Sequence, residues 1–287
     1  MNVKIASAQY DVSFLADWQQ YQDKVVQWVT DAAQQDAKIL LFPEYASMEL
    51  ASMFGKEIYS SLSKQLVAMQ SVHDDYLALY KRLAKQHQCI IQAGTFPVGI
   101  AEKTYRNRAY LFFPDGSIDY QDKLIMTRFE NEHWFIQGGT ELKCFDTVYG
   151  KIAINICYDS EFPLLTRKQV EMGVNLILVP SCTDTVAGYH RVKIGCQARA
   201  LENQCYVVQS PLVGNAEWSE AVDVNVGAAG IYTPVDRGFP DNGILATGEF
   251  NAASWLIADI SLDGIQTVRE QGQVFNYRDW PLQQKFV

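Results

Sequence analysis

Short apolar runs alternate with segments of helical period along most of the chain. Val3–Gln9 (VKIASAQ) alternates as a strand does. Trp18, Tyr21, Val25, Trp28, Val29 and Ala32 then recur at helical spacing, which predicts an amphipathic helix from Asp17 to Gln35. Asp17 suits its N-cap, and Gln20, three residues on, would complete a capping box. Lys38–Phe42 (KILLF) reads as a short buried strand stopped by Pro43. Ser60–Gln70 and Asp74–Gln88 predict two more helices, the second burying Leu77, Tyr80, Leu83 and Ala84.

The alternation continues downstream. Cys89–Gly94 is a strand, and Arg108–Phe113 and Ser117–Gln121 make a hairpin around Pro114-Asp115-Gly116. Lys151–Ile156 is the next strand, with Cys157 at its end and a helix over Ser160–Met172. Asn175–Val179 is a buried strand closed by Pro180, followed by a helix over Val192–Asn203. Strands over Cys205–Gln209, Val226–Tyr232, Ile244–Thr247 and Ser254–Asp259 complete a strand-rich C-terminal part. Alternating strands and helices with two hairpin-like regions predict an α/β fold, its mixed sheet covered by helices. No repeat and no Pro/Gly/Ser-rich linker divides the 287 residues, so a single domain over 1–287 is expected.

Composition narrows the function classes. The 24 Lys and Arg residues against 33 Asp and Glu give a formal charge of −9, without a basic run, which argues against nucleic acid as a partner. Neither an export signal nor an apolar run of membrane-spanning length is seen, so a cytoplasmic, membrane-free protein is expected. Six cysteines occur, none in a C-x-x-C pair, which argues against zinc ribbons and for free thiols.

Three chemistry-bearing residues share one position, the end of a buried strand or hairpin. They are Glu44 after LLFP, Lys123 after YQD and Cys157 after INI. Ligands of open α/β sheets gather at strand ends, and a strand-to-helix turn offers free N–H groups to an oxyanion. Each residue also has an ordinary reading. Glu44 suits a helix N-cap, Lys123 beside Asp122 suits solvent, and Cys157 suits core packing. Spacing alone does not decide between them.

The motifs LLFPEY, YQDKLIMTRFE and INICYDSEFP, in this order, resemble those of the nitrilase superfamily of carbon–nitrogen hydrolases. The segments PSCTDT and QARALENQCYVVQS resemble further family blocks, so the likeness spans essentially the whole chain. It implies a four-layer α-β-β-α sandwich and a homodimer or higher homo-oligomer, with the helix after Cys157 and the C-terminal segment as contact surfaces. It implies Glu44 as general base, Cys157 as nucleophile and Lys123 as oxyanion partner, helped by the Tyr158 N–H. No metal or organic cofactor is called for. A second glutamate after the lysine is also implied; Glu130, seven residues on, fits its spacing better than Glu132.

The implied substrate is a small amide or carbamoyl compound. Relatives that take carboxylate-bearing amides carry C-Y-D-x-R-F-P, and this chain has Glu161 in place of that Arg. A carboxylate there would repel a carboxylate substrate, which favours a neutral or amine-bearing one. Alternatively, Glu161 lies in the first turn of the next helix, where the dipole favours acids. Tyr45, Trp134, Tyr158, Thr183 and Asp184 are further candidates to line the site.

Among the histidines, His73 and His87 are expected in solvent, while His133 and His190 are candidates to line the pocket; none makes a Cys–His protease frame. Nitrile hydrolysis by the same triad is the nearest alternative, although nitrilases carry Trp and Glu after the cysteine where this chain has Tyr158-Asp159. A non-catalytic binding protein on the same fold would be expected to have lost one of the triad, and all three are present.

Overall fold

The computed structural model describes residues 2–286; Met1 and Val287, the ends of the expected domain, lie outside the described residues. In chain order the first strands are β1 (Asn2–Asp11), β2 (Ile39–Phe42), β3 (Ile90–Ala101), β4 (Thr104–Phe112) and β5 (Ile118–Asp122). Then come β6 (Phe145–Thr147), β7 (Gly150–Ile154), β8 (Val174–Ser181) and β9 (Tyr206–Asn215). The last are β10 (Val224–Asn225), β11 (Gly230–Tyr232), β12 (Ile244–Thr247) and β13 (Ser254–Ser261). The helices are α1 (Trp18–Gln34), α2 (Lys56–Tyr59), α3 (Leu62–Met69), α4 (His73–His87), α5 (Pro163–Glu171), α6 (Val186–Asn203), α7 (Leu262–Gln271) and α8 (Asn276–Asp279).

The strands form two mixed halves, β13-β1-β2-β3-β4-β5 and β12-β11-β9-β8-β7-β6, joined where Tyr10 and Asp11 of β1 meet Leu212 and Val213 of β9. Period-two alternation sorts the β2 side chains. Leu40 and Phe42 pack with Tyr21, Val25 and Val29 of α1 and Tyr80 and Leu83 of α4. Ile39 and Leu41 point the other way, into a core shared with Ile152, Leu176 and Val207 of the second half. That second core also takes Val170 of α5 and Val192, Cys196 and Ala200 of α6. The layers are therefore helix, sheet, sheet, helix, the sandwich that the family resemblance implies.

Helix boundaries follow local chemistry. Asp17 caps α1 through the Gln20 N–H as expected, but the Gln20 side chain reaches the Ala16 N–H at 2.9 Å instead of closing a box on Asp17. The helix expected from Ser160 begins only at Pro163. Cys157–Glu161 is a 3₁₀ turn, and Phe162 is extended, as a residue before proline tends to be. The helix expected from Val192 begins a turn and a half earlier, where Thr185 caps the Gly188 N–H.

Pro180 does not close its strand. It pairs with Ser210 inside β8. The β7 ladder ends at Leu178, so beyond that residue β8 has a neighbour only on the β9 side and a missing N–H is tolerated. Pro97 in β3 lies likewise past the end of β2, whose ladder stops at Ala93. The C-terminal part is less purely stranded than its pattern suggests, since α7 follows β13 directly. His73 and His87 are half-buried, not solvated; His73 Nε2 is 2.8 Å from the Tyr110 hydroxyl, and burial lowers its pKa. Among the described residues, no helix is long and apolar enough to cross a membrane.

Candidate active site

The three strand-end residues meet at one place. Lys123 Nζ donates to Glu44 Oε1 at 2.8 Å and to Glu130 Oε2 at 2.7 Å, and its side chain is 1% exposed. Cys157 lies beside them, close enough for Glu44 and Lys123 both to act on its charge. Of the two candidate second glutamates, Glu130 is the one that meets Lys123. Glu132 stands outside, in an exposed pair with Arg128.

Backbone constraints hold each residue there. After β2, Pro43 packs its carbonyl against Gly94, where an added Cβ would stand 2.3 Å from the oxygen at a φ of 71°, so only glycine fits. Tyr45 then turns through the left-handed region (φ 58°), with its N–H on Thr95 Oγ1 at 2.8 Å. Cys157 is itself left-handed (φ 47°), a conformation rare for non-glycine residues and common where a nucleophile is presented. Asp159 ties two of the three turns together: its carboxylate accepts the N–H groups of Ile125 (2.8 Å), Leu124 (3.1 Å) and Ile156 (3.3 Å).

The two oxygens of Glu44 differ. Oε1 accepts from Lys123 and from Asn107 Nδ2 (2.8 Å), whereas Oε2 accepts the Cys182 N–H (3.1 Å). Glu130 is enclosed more fully. Its Oε1 accepts from the Tyr45 hydroxyl (2.6 Å), and its Oε2 accepts from Lys123 and from the Thr127 N–H and hydroxyl (2.9 Å each).

These contacts separate the two acids. Burial, reinforced by Glu130 and opposed by Lys123, pushes Glu44 above its ordinary carboxyl value. Burial acts on Glu130 in the same sense but is outweighed by Lys123, Tyr45 and the Thr127 N–H, which hold it below. Burial would discharge Lys123, yet Glu130 and Glu44 keep it protonated well above the usual lysine range. Burial and then Glu44 push the Cys157 thiol up. Two carboxylates about one ammonium already carry net negative charge, so a free thiolate is disfavoured. Paired acids with diverging pKa values separate the group that exchanges a proton from the one that stays charged.

The cluster forms the floor of a cavity of about 570 Å³. Tyr45, Trp134, Tyr158, Glu161, Thr183 and Asp184 line it, as well as the four at the floor. Their parts differ. Trp134 is a buried wall, its ring 4.7 Å from that of Tyr45, and Thr183 Oγ1 donates to the Val226 carbonyl at 2.8 Å. Glu161 faces the cavity from the end of the 3₁₀ turn, 3.6 Å from Arg191 of α6, which answers the alternative of a carboxylate in the first turn of α5. His133 and His190 are exposed and do not line the cavity.

Sequence reasoning missed Asn107, Arg191 and the rim segment 220–225. Gly188, Arg191 and Val192 recur at helical spacing, so Arg191 was traceable once that helix was extended to Val186. An asparagine in a strand interior, as Asn107 is, was an anomaly worth following.

Residues 4–270 match the carbon-nitrogen hydrolase family. The chain is 36% identical over 277 residues to the Bacillus subtilis (strain 168) protein named "Probable hydrolase YhcX", covering 96% of this chain but only 53% of that one, about half its length. It is 29% identical over 218 residues to "Deaminated glutathione amidase" of Dictyostelium discoideum, 69% of each chain. The crystal structure of a carbon-nitrogen hydrolase from Helicobacter pylori G27 superposes with a TM-score of 0.77 over 98% of both chains at 15% identity, a likeness of fold. By sequence, the chain belongs to the carbon-nitrogen hydrolase family.

Proposed function

We propose that this protein hydrolyses the carbon–nitrogen bond of a small amide or carbamoyl compound through a Cys157 thioester. The observation that carries the reading is the convergence of Glu44, Lys123, Glu130 and Cys157 on one cavity floor. Cys157 Sγ attacks the carbonyl carbon while Glu44 takes the thiol proton. The electron pair displaced onto the carbonyl oxygen is held by Lys123, which has one of its three N–H groups left after bonding Glu44 and Glu130. The Tyr158 N–H, in the first turn of a 3₁₀ segment, is the second donor. As the adduct collapses, Glu44 passes its proton to the nitrogen, the C–N bond breaks, and ammonia or an amine leaves. Water then adds to the thioester carbon, giving a proton to Glu44. The C–S bond breaks, the acid departs, and the proton returns to sulfur. Glu130 remains charged and fixes Lys123 throughout.

The upper cavity favours a neutral or amine-bearing substrate. Glu161, Asp184, Glu220 and Asp223 line it against Arg128 and Arg191, and Arg128 is already paired with Glu132. Arg191 beside Glu161 softens, without cancelling, the repulsion of a carboxylate.

The test is a panel of neutral, ammonium-bearing and carboxylate-bearing amides, carbamoyl amines and nitriles, run on the wild type, Cys157→Ala and Glu161→Gln. Amides or carbamoyl amines should release ammonia or an amine where the nitriles do not. Acyl-Cys157 should be seen by mass spectrometry after an acid quench, and Cys157→Ala should be inert. Glu161→Gln should improve carboxylate-bearing amides severalfold relative to ammonium-bearing ones, less so in high salt. Turnover by Cys157→Ala at the wild-type rate would sink the mechanism. Carboxylate-bearing amides as the best wild-type substrates would sink the specificity.

A further inference from the structure

Asn107 is fully buried in β4 and touches three members of the site. Its Nδ2 donates to Glu44 Oε1 at 2.8 Å and approaches Glu130 Oε1 at 3.4 Å, while its main-chain carbonyl accepts the Lys123 N–H at 2.9 Å. The amide must present nitrogen to the two acids, since its oxygen there would face acceptors only. Among the described residues the Oδ1 atom has no partner, so the side chain is held by what its nitrogen does.

We propose that Asn107 is a positioning residue that, with Lys123, saturates Oε1 of Glu44 and so leaves Oε2 as the oxygen that takes the thiol proton. The inference rests on the thioester reading above and adds to it which oxygen works and what keeps the other occupied. Oε1 has two donors aimed at it, so a proton arriving there must displace one of them. Oε2 accepts the N–H of Cys182, the residue whose carbonyl the Cys157 thiol meets at 3.7 Å. Asn107 donates to the ionised form, so its loss raises the pH at which Glu44 gives up its proton.

The titratable groups facing Glu44 are Lys123 after β5, Glu130 in the turn that follows, Cys157 after β7, Cys182 after β8 and Tyr45 beside it. Asn107→Leu and Asn107→Asp leave all of them in place, and neither alters the main-chain bond to Lys123. Leucine removes the donor; aspartate removes it and adds a third acid.

The readout is alkylation of Cys157 by iodoacetamide across pH, followed at that residue by peptide mass spectrometry, which needs no substrate. Wild type should show an acid limb that Glu44→Gln abolishes. Asn107→Leu should move the limb up by about one pH unit, and Asn107→Asp further. If leucine prevents folding, the isosteric aspartate decides. A wild-type limb that depends on Glu44 but stays in place in the folded Asn107 variants overturns this inference and leaves the thioester reading standing. A limb indifferent to Glu44→Gln overturns both.

Discussion

Two buried glutamates, Glu44 and Glu49, stand five residues apart, and each is paired with a lysine. Glu49 Oε2 accepts from Lys24 Nζ at 2.8 Å and from the Ser13 N–H at 3.0 Å, and its Oε1 accepts from the Tyr10 hydroxyl. One buried acid meets one cation, whose other acid, the half-exposed Asp11, stands 3.9 Å away; every Glu49 oxygen is occupied, and Glu49 does not line the cavity. At Glu44, two acids share one cation, a thiol adjoins, and the cluster opens to about 570 Å³. Burial raises the pKa of both glutamates. Neither a buried ion pair nor a raised carboxyl marks a site. Surplus charge, a nucleophile and room for a ligand do.

The widest separation is expected in turnover. Glu44→Gln should lower kcat on any amide that supports the wild type by about 10⁴-fold or more, while Glu49→Gln should stay within about twofold. A loss at Glu49 equal to that at Glu44, measured per folded molecule, would erase the distinction.

Stability should run the other way. Glu49→Ala breaks a matched pair and should cost about 3 kcal/mol in urea unfolding, the lower end for buried pairs because Lys24 can reach water. Glu44→Gln removes surplus charge and should leave the midpoint unchanged or raise it. A destabilised Glu44→Gln would show that the Glu44 cluster holds the fold and not only the chemistry.

The smallest effect concerns pH. As the proposed base, Glu44 must be ionised to accept a proton, so activity should fall as pH drops through its raised pKa. Glu130 helps raise it, so Glu130→Gln should move the acid limb of kcat/KM down by about one pH unit while lowering kcat. Asn107→Leu is expected to move the Glu44 limb up, so the two variants bracket the wild type from opposite sides. Movement in the same direction would mean that the limb belongs to another group.

Much of the fold was legible because its elements bury faces with clean periods. The α1 stripe and the KILLF run each found the layer that the pattern implies. The failures are positional. Pro180 reads as a strand end, but whether a proline ends a strand depends on which neighbour runs past it, and β7 stops two residues earlier. Ser160 reads as helix, but the left-handed Cys157 and the following Pro163 force a 3₁₀ turn first.

The sequence by itself determined the family, through ordered motifs that survive without coordinates, and marked Glu44, Lys123 and Cys157 as the candidate acid, lysine and thiol. Only the tertiary structure decided their relations. Glu44, Lys123 and Cys157 come from separate strand ends, and nothing in linear spacing fixes a 2.8 Å contact across 79 positions. Packing within each half also put Asn107 on Oε1 and Arg191 beside Glu161. It gave one glutamate a cavity and the other a closed cage, because solvent exclusion and donor count are properties of the surroundings and not of the residue.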